Sequence, residues 1–460
     1  MRFPWFKKKP VQAEQGQAHA QLAVVHIADV CNLACLFCLE RDDRGGAREP
    51  PLTEVRETLA GLRDSGASDV VFMGAETFLR KDAVDVIRTA RELGFRHIKV
   101  ATNGTPISRP RYLRELADAG LNAIEISIHG ATAEVVDRIA GIPHTFERQA
   151  RALDELAAIR SIDVTLNTVI CRENADSIAE IVAYVRQKLG PDRPIRCKLI
   201  FTHLLGCAWQ EARDKGPLRY GEVDFTALGD RLEADGEQFF LDNVPLCQLG
   251  RHAIRSLKLK AFSANETYFD RAVEANTYRA TGYQLSGQVW PRDPCEACTL
   301  RPLCQGVEEQ YTRLAGRTEL RTSNAPAVDV LRDALKLHGR DPKHAEARLE
   351  ALRREPRPHG VVPPLKPGVV RLTHEGIAEP LELRIEPTQA DRPCYKRTPR
   401  FDLAYRPWNE GNATADPQVK LALAQVVEVL TRADTTGADI NDARAQVAGQ
   451  TLDGWEGVAG

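Results

Sequence analysis

From residue 22 to 201, short apolar runs alternate with stretches whose apolar residues recur every three or four positions, the pattern of strands separated by helices. The runs LAVVHIA (22–28), DVVFMG (69–74), HIKVATNG (97–104), NAIEISIHG (122–130), DVTLNTVI (163–170) and RCKLIF (196–201) favour β-branched residues and lack internal proline, which predicts six strands. Between them, Val55, Leu59 and Leu62 form one helix face that ends before Gly66. Asp82 and Gly94 bracket a second helix, and Ile178, Ile181, Val182 and Val185 mark a third behind a candidate cap at Asn174. Six strand-helix units in a row predict an α/β fold with a parallel sheet, either a partial barrel or an open doubly wound sheet.

In both architectures the loops at the carboxyl ends of the strands surround one crevice. Strand one runs into Cys31, strand two into Gly74 and Glu76, strand three into Asn103 and Gly104, strand four into Ser127 and His129, and strand five into Asn167 and Thr168. Polar loop residues are common, but their recurrence at five successive strand ends points to a site there.

After residue 204 the rhythm fades. Residues 205–322 carry a second cysteine group, and 323–460 reads as an α+β segment: a helix pair (326–353), a proline-rich stretch, the strand-like runs VVRLTH and LELRIEP, a helix candidate PQVKLALAQVVEVLTRA and a loose tail. Residues 1–20 hold Phe3, Trp5, Phe6 and a lysine run, and read as a frayed terminus. Four regions result: 1–20, 21–204, 205–322 and 323–460.

Composition is that of a soluble protein, with 43% apolar and 27% charged residues. A net charge of -2 gives no whole-protein attraction to nucleic acid or membrane, and no signal peptide or membrane span is visible, so a cytoplasmic location is expected. Eleven cysteines in so long a chain suit metal or redox work better than a disulfide framework. Cys171, Cys197, Cys207 and Cys394 stand apart and read as small buried hydrophobes.

Cys31, Cys35 and Cys38 form C-x3-C-x2-C directly after a strand. Three thiolates on one compact loop can hold an iron-sulfur cube while leaving one iron open, and an open position favours chemistry over structure. The loop, with Phe37 before its third cysteine, resembles the signature of the radical S-adenosylmethionine (SAM) superfamily over about residues 20–202. The resemblance implies a partial (β/α)6 TIM-type barrel whose 4Fe-4S cluster binds SAM and cleaves it to a 5'-deoxyadenosyl radical. It also places Phe37 near the adenine, with plain loop packing as the alternative.

Further motifs follow in the order that the resemblance implies. Gly74-Ala75-Glu76 is similar to the family's Gly-Gly-Glu, in which the glutamate would accept from the SAM ammonium; Ala75 departs from the pattern by one methyl group. Asn103-Gly104 and Ser127-Ile128-His129-Gly130 resemble the endings of strands three and four that lie near SAM, and Asn167 or Arg172 would reach its ribose or carboxylate. No general base is assigned.

Cys295, Cys298 and Cys304 form C-x2-C-x5-C, and Cys247 lies upstream. From spacing alone, four thiolates suit tetrahedral zinc as well as a cluster. Followed by Gly306 and Tyr311, the group resembles the shortened twitch form of the SPASM auxiliary-cluster domains, implying a second 4Fe-4S cluster with Cys247 as the open question.

The expected function is hydrogen-atom abstraction from a peptide or small-molecule substrate, with the second cluster relaying electrons or binding substrate. The reductant would be a flavodoxin or ferredoxin. Residues 323–460, including RPCYKRTPRFDLAYRPWN, are candidates for substrate binding, since only about twenty residues precede the first strand. The competing reading is a non-enzymatic iron-sulfur electron carrier or zinc-stabilised binding module, which explains the cysteines but not Glu76 or the polar strand ends.

Overall fold

The computed structural model describes residues 21–39, 49–64, 66–259 and 288–354, and beyond them the backbone of six strands: 267–272, 277–280, 368–374, 381–387, 401–406 and 455–458. The six anticipated strands are present as β1 (Gln21–Ala28), β2 (Asp69–Gly74), β3 (His97–Thr102), β4 (Ala123–Ser127), β5 (Asp163–Ile170) and β6 (Ile195–Phe201). Three further strands complete the sheet: β7 (Gln238–Asp242), β8 (Thr267–Ala272) and β9 (Thr277–Ala280). Their order is β7-β6-β5-β4-β3-β2-β1-β8-β9, parallel throughout except for the β8-β9 pair. Among the described residues no pairing joins β7 to β9, so the sheet is an open, partial barrel. The rhythm therefore runs past residue 204, through α7 (Gly206–Lys215) and α8 (Phe225–Ala234) to β7 beside β6.

Alternation along each strand decides what the two faces of the sheet meet. In β3, Ile98, Val100 and Thr102 are buried while His97, Lys99 and Ala101 are half-buried. In β6, Cys197, Leu199 and Phe201 are buried, whereas Lys198 and Ile200 line the interior cavity. The helices cover the apolar face. In α1 (Leu52–Asp64), Val55, Leu59 and Leu62 fall three or four residues apart and are all buried. Each such aliphatic side chain contributes about 1.5–3 kcal/mol by leaving water. Behind α1, α2 (Ala83–Glu92) and α6 (Ile178–Leu189) bury their own apolar stripes.

Asp82 brackets α2 as anticipated, whereas the cap expected at Asn174 turns out otherwise. Asp82 sits at the start of α2 but makes no side-chain cap; its carboxylate binds Arg80 in bidentate fashion, Nε to Oδ1 at 3.0 Å and Nη2 to Oδ2 at 2.9 Å. Ser177, not Asn174, stands at the start of α6. Asn174 is fully buried, donating to the carbonyls of His129 and Val169 at 2.9 Å each and accepting from the Cys171 N–H at 2.9 Å. It ties the end of β4 to that of β5, a demand on a side-chain amide that outweighs capping.

The anticipated helix pair is Ala327–Leu337 and Ala345–Arg353, packed through Leu331, Ala334, Leu335, Leu349 and Leu352. The two strand-like runs are β12 (Gly368–His374) and β13 (Leu381–Pro387), after the two-residue strands β10 (Gln288–Val289) and β11 (Val307–Glu308). β14 (Phe401–Arg406) pairs with β13, and β15 (Trp455–Val458), in the tail that reads as loose, pairs with β12. Residues 1–20 and the candidate helix PQVKLALAQVVEVLTRA lie outside the described residues.

Arg80 braces the end of β1. Its guanidinium, 2% exposed, donates to the carbonyls of Ile27 at 2.8 Å and Pro50 at 3.0 Å while pairing with Asp82. Arg80→Met keeps the volume of the stem but strands two buried carbonyls and a carboxylate. The expected loss is about 3 kcal/mol in a urea titration, because breaking a buried, hydrogen-bonded pair costs far more than losing a surface one. A loss below about 1 kcal/mol would show that water replaces the guanidinium.

Candidate functional site

The carboxyl ends of β1 to β5 open into one cavity of about 300 Å³. Its walls carry Cys31, Cys35, Phe37 and Cys38 after β1, Gly74 and Ala75 at the end of β2, Asn103 after β3, Ser127 and His129 at the end of β4, and Asn167 in β5. The cysteine loop is seated by backbone bonds from Ala34 N–H to Ala140 O at 2.8 Å and Leu36 N–H to Ile139 O at 3.0 Å, at the end of α4 (Ala133–Ala140). Its far end is held by Cys207 N–H, which donates to Cys38 O at 3.1 Å from the first turn of α7. Phe37 packs edge-to-face on His129, 4.8 Å between ring centroids.

Gly74 has φ of 126°, and a Cβ there would lie 2.3 Å from the Ala28 carbonyl oxygen. Glycine is thus required by the approach of β1, whatever ligand the cavity takes. Glu76 is fully buried and is not part of the cavity wall. Oε1 accepts from the Thr102 hydroxyl at 2.8 Å and Phe78 N–H at 3.1 Å, and Oε2 accepts from Asn103 N–H at 2.7 Å. Burial pushes its pKa up to about 7, against the pull of these bonds. Its three protein donors hold the Glu76 carboxylate in the wall, where it joins the ends of β2 and β3.

Arg172 is also placed elsewhere. It is half-exposed, 3.4 Å from Glu222 and bonded to the carbonyls of Gly216 and Pro217 at 3.2 Å each, outside the cavity wall. Of the two candidates near strand five, only Asn167 reaches the cavity; its Nδ2 donates to Ser127 Oγ at 3.3 Å. His129 accepts from Val169 N–H at Nδ1 (3.1 Å), so its neutral form carries the proton on Nε2, and burial lowers its pKa to about 4.

The cavity also holds side chains that motif reading passed over. Gln149, from α5 (Thr145–Ala158), donates to the carbonyls of Asn103 at 2.8 Å and Ser127 at 3.0 Å. Glu125 and Lys198 form an ion pair at 3.1 Å on the inner faces of β4 and β6. Burial opposes the Lys198 charge, but Glu125 and Asp242 outweigh it and its pKa is raised. His203 Nδ1 lies 2.6 Å from Glu308 of β11, whose other oxygen accepts from Leu204 N–H at 2.8 Å. Signals for these existed: Glu125 is in phase with Ser127 on one strand face, and Gln149 interrupts the apolar stripe of its helix.

The second cysteine group also converges. Cys247, from the turn after β7, lines one pocket together with Cys295, Cys298 and Cys304, among Leu246, Trp290, Leu300 and Val307. Burial pushes Cys295 up to about 11 and Cys304 up to about 12, and in each case neighbouring cysteines, Cys247 among them, add to the shift. The four thiols form one donor set, and those of Cys247, Cys295 and Cys304, with raised pKa, ionise most readily when a cation offsets their charge. Gly306 N–H donates to Cys304 Sγ and Ser323 N–H to Cys298 Sγ, both at 3.4 Å. Gly306 has φ of 80°, and a Cβ there would lie 2.7 Å from Val289 O. Among the described residues no three His, Cys, Asp or Glu side chains close on a single ion.

Residues 25–185 match the radical SAM superfamily. A PqqA peptide cyclase from Rhodopseudomonas palustris is 31% identical, over 69% of this chain and 88% of its own length. The chain belongs to the radical SAM superfamily. A probable GTP 3',8-cyclase from Saccharolobus islandicus is 26% identical over 42% of this chain and 61% of its own. Among solved structures, Streptococcus suis SuiB bound to S-adenosylmethionine aligns with a TM-score of 0.46 at 14% identity, covering 64% of this chain and 73% of SuiB.

As a radical SAM enzyme, the chain is implied by its family to use a 4Fe-4S cluster and SAM. The cavity suits both: three cysteines stand on one wall, and two buried amide oxygens, Gln149 Oε1 and Asn167 Oδ1, have no hydrogen-bond partner. Buried acceptors of this kind call for a donor, which ribose hydroxyls or an ammonium supply. Among the described residues no helix is long and apolar enough to cross a membrane.

Titration of the two buried groups separates the wall from the cavity. Glu76 has a native pKa above its unfolded value, so its contribution is fully present below pH 4.5 and is lost as pH rises through about 7. His129 is depressed, so its contribution is complete above pH 6.5 and is lost as pH falls through about 4. The two slopes oppose each other between pH 4.5 and 6.5 and are resolved only in variants. In urea titrations, Glu76→Gln should be less destabilising at pH 8 than at pH 5 by about 3 kcal/mol. The reverse order would mean that the native carboxylate is ionised and held by its three donors.

Proposed function

We propose that this radical SAM enzyme binds its SAM-cleaving cluster through Cys31, Cys35 and Cys38, acts on a peptide, and holds a second 4Fe-4S cluster through Cys247, Cys295, Cys298 and Cys304. The observation that carries the reading is the convergence of the three-cysteine loop and three polar strand ends, those of β3, β4 and β5, on one cavity. Support for a peptide comes from the extent of likeness: the match to the peptide cyclase spans 69% of the chain, against 42% for the GTP cyclase. The larger match reaches beyond the 25–185 core.

Held by Cys31, Cys35 and Cys38, a 4Fe-4S cluster would supply the electron for reductive cleavage of SAM to methionine and a 5'-deoxyadenosyl radical. The chain's own residues position and exclude. Ser127, Asn167 and Gln149 offer the polar contacts for the ribose and the methionine end, and Phe37, packed on neutral His129, forms an apolar wall for the adenine. Gly74 lets β1 and β2 close without a side chain between them. For the second site, Cys247 facing the other three thiols supports a fully ligated cluster, which suits electron relay better than substrate binding. A flavodoxin or ferredoxin in the cytoplasm fits as reductant.

After anaerobic reconstitution the wild type is expected to hold about eight iron atoms per chain, and both the Cys31/Cys35/Cys38→Ala and the Cys295/Cys298→Ala variants about four. Only the first variant should lose 5'-deoxyadenosine formation with dithionite. Zinc in the wild type, or unchanged iron in the second variant, would remove the second cluster. Short peptides encoded by neighbouring genes should accelerate 5'-deoxyadenosine formation; acceleration by GTP alone would overturn the peptide assignment.

A further inference from the structure

Beside Cys31 three side chains close a ring of hydrogen bonds. Asn103 Nδ2 donates to Asn32 Oδ1 at 3.0 Å, Asn32 Nδ2 donates to Thr105 Oγ1 at 2.8 Å, and Thr105 Oγ1 donates to Asn103 Oδ1 at 2.7 Å. Its direction is fixed by the backbone. Thr105 N–H, which can only donate, reaches Asn103 Oδ1 at 2.9 Å, so the other end of that amide must be the nitrogen. One hydrogen of that NH2 is taken by Asn32, and the second points at Cys31 Sγ, 3.7 Å away. The sulfur also accepts from Leu33 N–H at 3.4 Å.

The ring is held rigidly from both sides. Thr105 is 4% exposed, and the Asn103 backbone is fixed by its N–H to Glu76 and by its carbonyl to Gln149. An amide so constrained cannot rotate away when the charge on the sulfur changes.

We propose that the Asn32–Asn103–Thr105 ring is a positioning device that aims an N–H dipole at the Cys31 sulfur and thereby raises the reduction potential of the cluster bound there. The inference rests on the reading above that Cys31 is a cluster ligand. The physical reason is that an electron added to an iron-sulfur cluster increases the negative charge on its sulfurs, and a fixed donor stabilises the reduced form more than the oxidised one. Asn103 thus acts through Cys31, without contact to the reacting atoms.

The test is an EPR-monitored potentiometric titration of the reconstituted enzyme, with iron counted in each sample. The second cysteine group is replaced (Cys295→Ala, Cys298→Ala) so that one cluster is read. Asn103→Ala should keep its iron while the midpoint falls by up to about tenfold in the reduction equilibrium, about 59 mV for one electron. Thr105→Val, which opens the ring but leaves the amide, should shift it in the same direction by less. Iron-sulfur stretching bands should move in deuterium oxide in the wild type and less in Asn103→Ala. An unchanged midpoint in an iron-replete Asn103→Ala overturns the proposal. If that variant loses iron, Thr105→Val and Asn32→Ala decide: a lowered midpoint in both supports the ring, and an unchanged one in both overturns it. A Cys31→Ala variant with undiminished iron would instead overturn the ligand assignment, a failure seen in the iron count and not in the potential.

Discussion

The buried carboxylate of Glu76 is the constraint on which the geometry of the site depends. Three donors meet it: the hydroxyl of Thr102 and the backbone N–H groups of Phe78 and Asn103. Taking a carboxyl group fully out of water is unfavourable unless its oxygens are met by donors, so the strand ends carrying those donors are fixed relative to one another. β2 and β3 therefore finish in register at the cavity, and the residue that the carboxylate pins, Asn103, is the one that reaches Cys31. Displacing Glu76 would disturb the cysteine loop without touching it.

The period of two along the strands made the barrel legible. β-branched runs bounded by polar strand ends located six strands to within a few residues, and the polar ends marked the cavity. What stayed hidden was direction. Glu76, Asn103 and Ser127 all read as polar groups at strand ends, and only the folded chain shows that one turns into the wall while the others face inward. Arg172 looked equivalent to Asn167, yet it lies beyond the end of β5, where the chain has left the cavity and a surface loop offers two carbonyls. β7 was missed because QFFLD is a strand of only five residues. Gln149 was missed because it stands on a helix, outside the strand ends where site residues were sought.

The two cysteine groups, far apart in sequence, meet through β6 and β11. His203, after β6, lines the first cavity and pairs with Glu308 at 2.6 Å; Val307 and Gly306, next in the chain, line the second pocket. Phe201, Tyr220 and Tyr311 pack together alongside, with Tyr220 and Tyr311 ring centroids 4.3 Å apart. Burial opposes the charge on His203, yet Glu308 and Asp242 raise its pKa, so the link is a charge-assisted bond in a dry setting. Such a bond resists the relative motion of the two segments, because separating it would leave both charges buried and unpaired.

That coupling bears on how the radical chemistry proposed above would be contained. A reactive radical must be generated and consumed with little water present, so the cavity has to stay closed around groups that cannot themselves be relaxed. Here its polar lining is almost entirely committed: Asn103 to Cys31 and Asn32, Gln149 to two carbonyls, His129 to Val169, Lys198 to Glu125. Two amide oxygens, of Gln149 and Asn167, are the exceptions among the described residues. A ligand that satisfies both gains a pair of hydrogen bonds whose protein side has already been desolvated, so binding there is selective for a molecule with two donors at the right separation and poor for an apolar one.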